Sequence, residues 1–106
     1  MSKSHNEEEY QDKLADDRQL NSVLGKNLHD ARMLAKTPVG LSVTFDWLSN
    51  VTTIHHVSIR RFEKGQSGMT VANLVRLKDA LGCSWDDLLK GCESGVVKAR
   101  KPHLRS

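Results

Sequence analysis

Apolar residues recur at helical spacing through most of the chain, and this pattern predicts a series of α-helices. The first core helix has apolar residues at positions i, i+4, i+7 and i+11, on one buried face: Leu24, Leu28, Ala31 and Ala35. Asn21 or Ser22 is expected to begin this helix, because either side chain can accept a hydrogen bond from a free amide of its first turn. The helix is expected to end near Ala35.

Two short helices separated by a tight turn are predicted within residues 44–65. Each has an apolar i, i+3 pair, and one apolar residue lies in the connection: Leu48 with Val51, Ile59 with Phe62, and Ile54 between them. The remaining residues in and around the second short helix are then free to face outward: His55, His56, Val57, Ser58, Arg60 and Arg61, with Lys64 just beyond. They are rich in hydrogen-bond donors and positive charge and include no acid, which suits an acidic, grooved partner such as duplex DNA.

Two further helices follow a short link. Thr70 is expected to cap the fourth helix, whose apolar residues keep helical spacing: Val71, Leu74, Leu77 and Leu81. Gly82 suits the left-handed residue that commonly ends a helix. Ser84 and Asp87 resemble a capping box that begins a short fifth helix, and Gly91 is expected to end it.

The connection between the first and second helices is predicted to be a loop. Residues 36–43 contain Pro38 and Gly40, and proline restricts the residue before it while glycine interrupts a helix. Either Thr44 or Ser42 is expected to cap the helix that follows.

The chain is expected to divide into three parts. Residues 1–21 are predicted to be an acidic leader, partly helical or disordered, since Tyr10 and Leu14 form only a thin apolar stripe. Residues 22–93 are predicted to form one all-α domain of five helices. Residues 94–106 have four bases and no acid, and they are predicted to be a mobile basic tail.

Charge is divided unequally along the chain. Residues 1–22 have three bases and six acids, a net −3, whereas residues 23–106 have 13 bases and seven acids, a net +6. A basic surface favours polyanions of any sequence through release of their counterions. The predicted domain is therefore suited to nucleic acid, although charge alone favours the simpler interpretation of a solvated basic surface.

Other classes of function find little support in the sequence. We find no nucleophile motif, phosphate-binding loop, dinucleotide fingerprint or paired-carboxylate helix, so we expect neither an enzyme nor a cofactor. The pair His55 and His56, with His29 and Cys83, lacks the short ligand spacing of structural zinc sites, so no metal is expected. The sequence begins with polar residues and has no apolar run of about 18–20 residues. A cytoplasmic setting with reduced cysteines is expected, with Cys83 as a packing residue and Cys92 exposed.

Two blocks of sequence resemble the Cro/phage-repressor (XRE-type) helix-turn-helix family. The first block matches the family at the turn, the second short helix and the E-x-G that follows: Ile54, His55, Ile59, Phe62, Glu63 and Gly65. The second block, residues 70–89, resembles the family's fourth helix, glycine stop and fifth helix. The resemblance covers residues 24–90 approximately and implies a compact five-helix domain. The long 36–43 connection is the main departure from the family.

The resemblance implies a double-stranded DNA partner and a set of contacts. The third helix, His56–Glu63, would enter the major groove, with three residues at base-contacting positions and two next in rank: His56, Val57 and Arg61, then Ser58 and Arg60. Three other residues match positions that contact phosphates: Thr44, His55 and Lys64. Glu63 is expected to be structural, fixing the end of the third helix.

The same resemblance implies a transcriptional regulator, most simply a repressor, that acts as a homodimer on an inverted repeat. The fifth helix, the surface around Trp47 and the leader are the candidate dimer interfaces. The family occurs in bacterial, phage and plasmid genomes, so the protein is expected to act in the bacterial cytoplasm.

Two aromatic residues of the second helix leave an alternative open. Phe45 stands where many relatives have a phosphate-binding glutamine, and Trp47 stands where a charged residue is usual. Large aromatics are rarely left bare on a surface, so either the long loop covers them or a partner does. In the second case the protein would be an interaction module, such as an antitoxin or anti-activator, that binds a regulatory protein partner through Phe45, Trp47 and the leader.

Overall fold

A computed structural model of the protein describes residues 3–92, with side chains described from residue 17 onward. Five α-helices follow one another in this part of the chain: α1 Lys3–Leu34, α2 Phe45–Thr52, α3 His56–Glu63, α4 Val71–Leu81 and α5 Trp85–Leu89. Residues 3–92 contain no strand beyond an isolated bridge between Lys36 and Ser42. The all-α prediction is therefore confirmed, while the predicted basic tail, residues 94–106, lies outside the described residues.

The first helix does not begin where the sequence predicted. Helix α1 runs without interruption from Lys3 to Leu34, so Asn21 and Ser22 lie inside it and are not caps. The physical reason is that residues 7–24 contain neither glycine nor proline, and each amide can bond the carbonyl four residues earlier. The predicted end near Ala35 is confirmed, because Ala35 N–H still donates to the Ala31 carbonyl at 3.0 Å.

Among residues 17–92, the buried core joins all five helices through nine apolar side chains: Leu28, Val43, Leu48, Ile54, Ile59, Phe62, Leu77, Leu81 and Leu88. Two predicted core residues are exposed, Val51 by 50% and Val71 by 76%. In α2 the buried partner of Leu48 lies four residues on, at Thr52, whose hydroxyl donates to the Leu48 carbonyl at 2.6 Å. Residues three apart and residues four apart both lie on one face of a helix, so spacing alone does not decide whether Val51 or Thr52 is buried beside Leu48.

The connection between α1 and α2 is an ordered turn that closes on itself. Thr37 N–H donates to the Leu41 carbonyl and Gly40 N–H donates to the Thr37 carbonyl, each at 2.8 Å. Thr37 and Val43 are buried, whereas Val39 and Leu41 are exposed. The predicted loop is thus confirmed.

The helix ends that the sequence predicted are confirmed at four positions. Thr44, and not Ser42, caps α2 by accepting a hydrogen bond from Trp47 N–H at 3.0 Å. Thr70 caps α4, and Gly82 ends it with a φ of 66°. Ser84 and Asp87 form the reciprocal capping box at the start of α5. These local bonds satisfy amides and carbonyls that a short helix cannot pair internally.

Helix α1 crosses the end of α3 at very short range. A Cβ atom placed on Gly25 would lie 2.2 Å from the Phe62 carbonyl oxygen, closer than any real side chain allows. Gly25 is buried, and α1 packs against both α3 and α5. The absence of a side chain at this position therefore lets the two helices approach.

Candidate nucleic-acid interface

A three-residue turn sets the direction of α3 relative to α2. Thr53 adopts a left-handed conformation with a φ of 61°, and its N–H donates to the Ser49 carbonyl at 2.9 Å. Ile54 follows and is buried, which anchors the turn to the core. Local sequence does not predict the left-handed threonine, because a β-branched residue is unusual in that conformation.

His55 begins α3 and uses one ring nitrogen to do so. Its Nδ1 atom accepts a hydrogen bond from Val57 N–H at 3.2 Å, so this nitrogen lacks a proton and Nε2 is the donor in the neutral ring. The His55 and His56 rings stack with their centroids 4.7 Å apart. His55 is exposed and His56 is half-buried. The pair thus combines a structural role at the helix start with an Nε2 donor available to a ligand.

Helix α3 has a packed side and an exposed side. Ile59 and Phe62 are buried in the core. Four of the five residues predicted to contact bases are exposed on the other side: Val57, Ser58, Arg60 and Arg61. We call these four residues the ridge. Its two guanidinium groups give it positive charge, and Val57, which is 37% exposed, is a small apolar side chain among them.

The one acid of α3 is buried and paired, so it does not offset the charge of the ridge. The Glu63 side chain is 4% exposed, and both of its oxygens bond the Arg32 guanidinium, at 2.7 and 3.1 Å. His29 Nδ1 lies 3.0 Å from Glu63 Oε1. Arg32 also donates to the Val43 carbonyl, at 3.1 Å. The predicted structural role of Glu63 is borne out in a specific form: it ties the end of α3 to α1.

The contacts of Glu63 with Arg32 and His29 were not predicted from the sequence. The one available signal was a lone acid among the bases of residues 55–64. Such a carboxylate needs a partner when it is buried, but the partner lies 31 residues earlier, and nothing in the local pattern identifies it.

Phe45 and Trp47 are both half-buried and pack against the core. Two guanidinium groups approach the Phe45 ring: the central carbon of Arg32 lies 4.2 Å from the ring centroid and that of Arg60 lies 5.1 Å away. The Phe45 ring was expected to be covered by a loop or by a partner. Arginines of α1 and α3 contact it instead.

The residues predicted to contact phosphates lie at helix ends next to the ridge. Thr44 and Lys64 are exposed, as His55 is. Thr44 is the N-cap of α2, and Lys64 directly follows α3, where its N–H donates to the Arg60 carbonyl at 3.1 Å. All exposed charged side chains between residues 53 and 64 are basic.

The cysteines have the chemistry of packing residues. Cys83 packs against the core and Cys92 is also half-buried, so the prediction that Cys92 is exposed was wrong. Burial raises the pKa of both thiols, which disfavours the reactive thiolate. In the described part of the chain no three His, Cys, Asp or Glu side chains converge as a metal site would require. Among residues 3–92, no helix has the length and apolar character needed to cross a membrane.

Comparison with known proteins adds no evidence on the role of these residues. No protein-family model matches the chain, and a search of curated proteins finds no significant match.

Proposed function

We propose that the protein is a sequence-specific regulator of transcription, most simply a repressor, that binds double-stranded DNA in the bacterial cytoplasm. Helix α3 would lie in the major groove and α2 across the backbone, as in the Cro/phage-repressor (XRE-type) helix-turn-helix family. The observation that supports this proposal is the ridge itself. It stands on a helix whose other side is fixed by Ile59 and Phe62, and its two guanidinium groups make no salt bridge to any side chain of residues 17–92.

The ridge residues receive roles from their chemistry. The Arg61 guanidinium can bond O6 and N7 of a guanine at once, a contact worth about 1–3 kcal/mol of discrimination. His56 can donate to a guanine, or accept from an adenine amino group in its neutral form. Val57 can lie against a thymine methyl. Ser58 and Arg60 rank next, within reach of a base or a neighbouring phosphate.

The surrounding residues are proposed to hold the protein on the DNA backbone. Thr44, His55 and Lys64 would contact phosphates, which fixes the register of the protein without reading sequence. Together with the ridge these residues would form the surface that meets the duplex.

We propose a homodimer on an inverted repeat. A single module of this size buries only about 600–1,000 Å² on DNA, and two half-sites multiply its specificity. Helix α5 is the first candidate for the interface, because Trp85 and Leu89 lie one turn apart and are 38% and 44% exposed. The Trp47 surface and the leader remain the other two candidates.

Selection from a randomised duplex library tests the function directly. The full-length protein should enrich a palindromic sequence and bind it more tightly than a scrambled duplex at the same salt concentration. The Arg61→Ala protein should lose preference at one position in each half-site. Equal binding of all duplexes, or of none, would contradict the proposal.

The alternative function, a module that binds a regulatory protein through Phe45 and Trp47, has weaker support. Both rings pack against the core, and the arginines over Phe45 occupy part of the surface that such a partner would need. This alternative predicts that Trp47→Ala abolishes capture of the partner while DNA affinity stays unchanged. If Trp47→Ala changes neither capture of the partner nor DNA affinity, this alternative loses its main support.

A further inference from the structure

Two arginines contact the same aromatic ring, but only one of them is available to a ligand. Arg32 is 12% exposed in its side chain, and its donors are taken by the Glu63 carboxylate and the Val43 carbonyl. Arg60 is exposed and makes no salt bridge to any side chain of residues 17–92. Arg32 therefore has a structural role, whereas the donors of Arg60 are available to an external partner.

The position of Arg60 on the helix separates it from Arg61. Successive residues of an α-helix are turned by about 100°, so Arg60 and Arg61 lean to opposite sides of Val57. Arg60 leans towards Phe45, the first residue of α2. This is the flank of the ridge next to Thr44, where α2 begins.

A guanidinium held against a ring keeps its donors free. The face of the group is attracted to the negative face of the aromatic ring, while its N–H bonds lie in its own plane and remain open. Two parallel N–H bonds in that plane match two oxygens of a phosphate. The Phe45 ring is itself held in place, because Arg32 lies 4.2 Å from its centroid and the ring packs against the core.

We propose that Phe45 is a positioning residue that holds Arg60 at the flank of α3, where its guanidinium binds a phosphate of the DNA backbone. Of the two arginines of the ridge, only Arg61 is then left to contact bases. This inference rests on the proposed function and deepens it, because it assigns Arg60 to affinity and not to sequence discrimination. It also gives a role to Phe45, an aromatic residue at the start of α2.

A double-mutant cycle on Phe45 and Arg60 tests the proposal. Binding of the wild-type protein, Arg60→Ala, Phe45→Leu and the double variant is measured on the selected duplex and on a scrambled duplex over a range of salt concentrations. Arg60→Ala should weaken both duplexes by the same factor and make the log–log salt slope shallower by about 0.9, the value for one phosphate contact. Phe45→Leu should weaken both by about two- to fivefold. The double variant should bind no more weakly than Arg60→Ala alone.

Conservative variants distinguish positioning from a general effect on the fold. Phe45→Tyr keeps the ring and should retain wild-type affinity and salt slope. Arg60→Lys keeps the charge but not the planar group, and it should weaken both duplexes to an intermediate degree. Thermal unfolding identifies any variant that has lost its structure. If Phe45→Leu does not fold, equal weakening of both duplexes by Arg60→Lys, with full retention by Phe45→Tyr, still supports the proposal.

The possible failures are distinguishable. If wild-type protein shows no preference among duplexes, the proposed function falls and this inference falls with it. If wild-type protein is selective but Arg60→Ala relaxes its base preference, only the assignment of Arg60 to a phosphate is overturned. Additive losses in the double variant would overturn the positioning role of Phe45.

Discussion

The two sides of α3 differ in how their polar groups are satisfied. On the packed side the Glu63 carboxylate has Arg32 on both oxygens and is 4% exposed. On the ridge, Arg60 and Arg61 are exposed and make no salt bridge within residues 17–92. The eight residues of α3 thus include both the acidic member of a completed ion pair and arginines whose donors make no salt bridge within residues 17–92. Substitutions on the packed side should therefore change stability, and substitutions on the ridge should change binding.

Removing the partner of Glu63 should have the largest effect on stability. Arg32→Met leaves the buried carboxylate with only His29 beside it, and breaking a buried pair in this way costs about 3–5 kcal/mol. Urea unfolding measures the loss. Lys26→Met, which breaks the exposed pair between Lys26 and Asp30, is the matched control and should change stability little. Similar losses in the two variants would mean that Glu63 is not dependent on Arg32.

Filling the contact between α1 and α3 should have the next largest effect on stability. Alanine normally stabilises a helix by about 1 kcal/mol relative to glycine. At Gly25 the new Cβ would meet the Phe62 carbonyl at 2.2 Å, so Gly25→Ala should instead destabilise the protein by about 1–3 kcal/mol. Gly68→Ala is the control, since its nearest neighbour, the Asn21 side chain, lies at an ordinary 3.6 Å. A stabilised Gly25→Ala protein would show that α1 does not approach α3 so closely.

On the ridge, Arg61→Ala should change specificity and leave the fold intact. Loss of a bidentate contact to guanine should cost about 1–3 kcal/mol of discrimination between the preferred base and others. Competition binding against duplexes changed at single positions measures this loss. Arg76→Ala removes the same charge from an exposed position on α4 and should leave discrimination unchanged. Unchanged discrimination in both variants would remove Arg61 from the reading surface.

Lys64→Ala should have a smaller effect on binding than Arg61→Ala and should be blind to sequence. Its exposed ammonium would neutralise at most one phosphate, so all duplexes should bind somewhat more weakly and the salt slope should become shallower by up to about 0.9. Arg76→Ala, at an exposed position on α4, should leave the slope unchanged. A loss confined to the preferred duplex would count against a backbone contact.

The smallest effect is expected away from α3, at the α5 capping box. The Ser84 N–H donates to the Asp87 carboxylate, and this bond, with the neighbouring Ser84 side chain, holds the pKa of Asp87 below its usual 3.8. A folded pKa below the unfolded one means that the unfolded chain takes up the proton first. The stabilisation is present above about pH 4 and is lost as the pH falls through the folded pKa. Unfolding measured between about pH 5 and pH 3 should therefore depend less on pH in Asp87→Asn. An unchanged profile would exclude this contribution.

Local signals predicted the fold well because they act within one turn. The caps at Thr44, Thr70 and Ser84 and the stop at Gly82 each depend on residues no more than four positions away. The same local reasoning failed at Ser22, where a residue with capping chemistry lies inside a longer run of helix-forming residues. A cap is needed only where the helix in fact begins.

The contacts that define the interface depend on packing between helices, and sequence could not supply them. Three contacts form only when α1, α2 and α3 are packed together. They are the salt bridge between Glu63 and Arg32, the close approach of Gly25 to the Phe62 carbonyl, and the contact between Phe45 and Arg60. The ridge was predictable because its residues are those that the apolar pair Ile59 and Phe62 leaves outside. Which ridge side chain leans on a neighbour is a property of the assembled domain.

The self-closing turn between α1 and α2 has a practical consequence. Both of its ends are anchored, by buried Thr37 on one side and buried Val43 on the other, whereas Val39 at the tip is exposed. Changes at the tip need not propagate to Thr44, where α2 begins. Val39, which is 79% exposed and takes no part in the hydrogen bonds that close the turn, is accordingly a suitable attachment point for a fluorophore, through which association with duplex DNA could be tested without touching either side of α3.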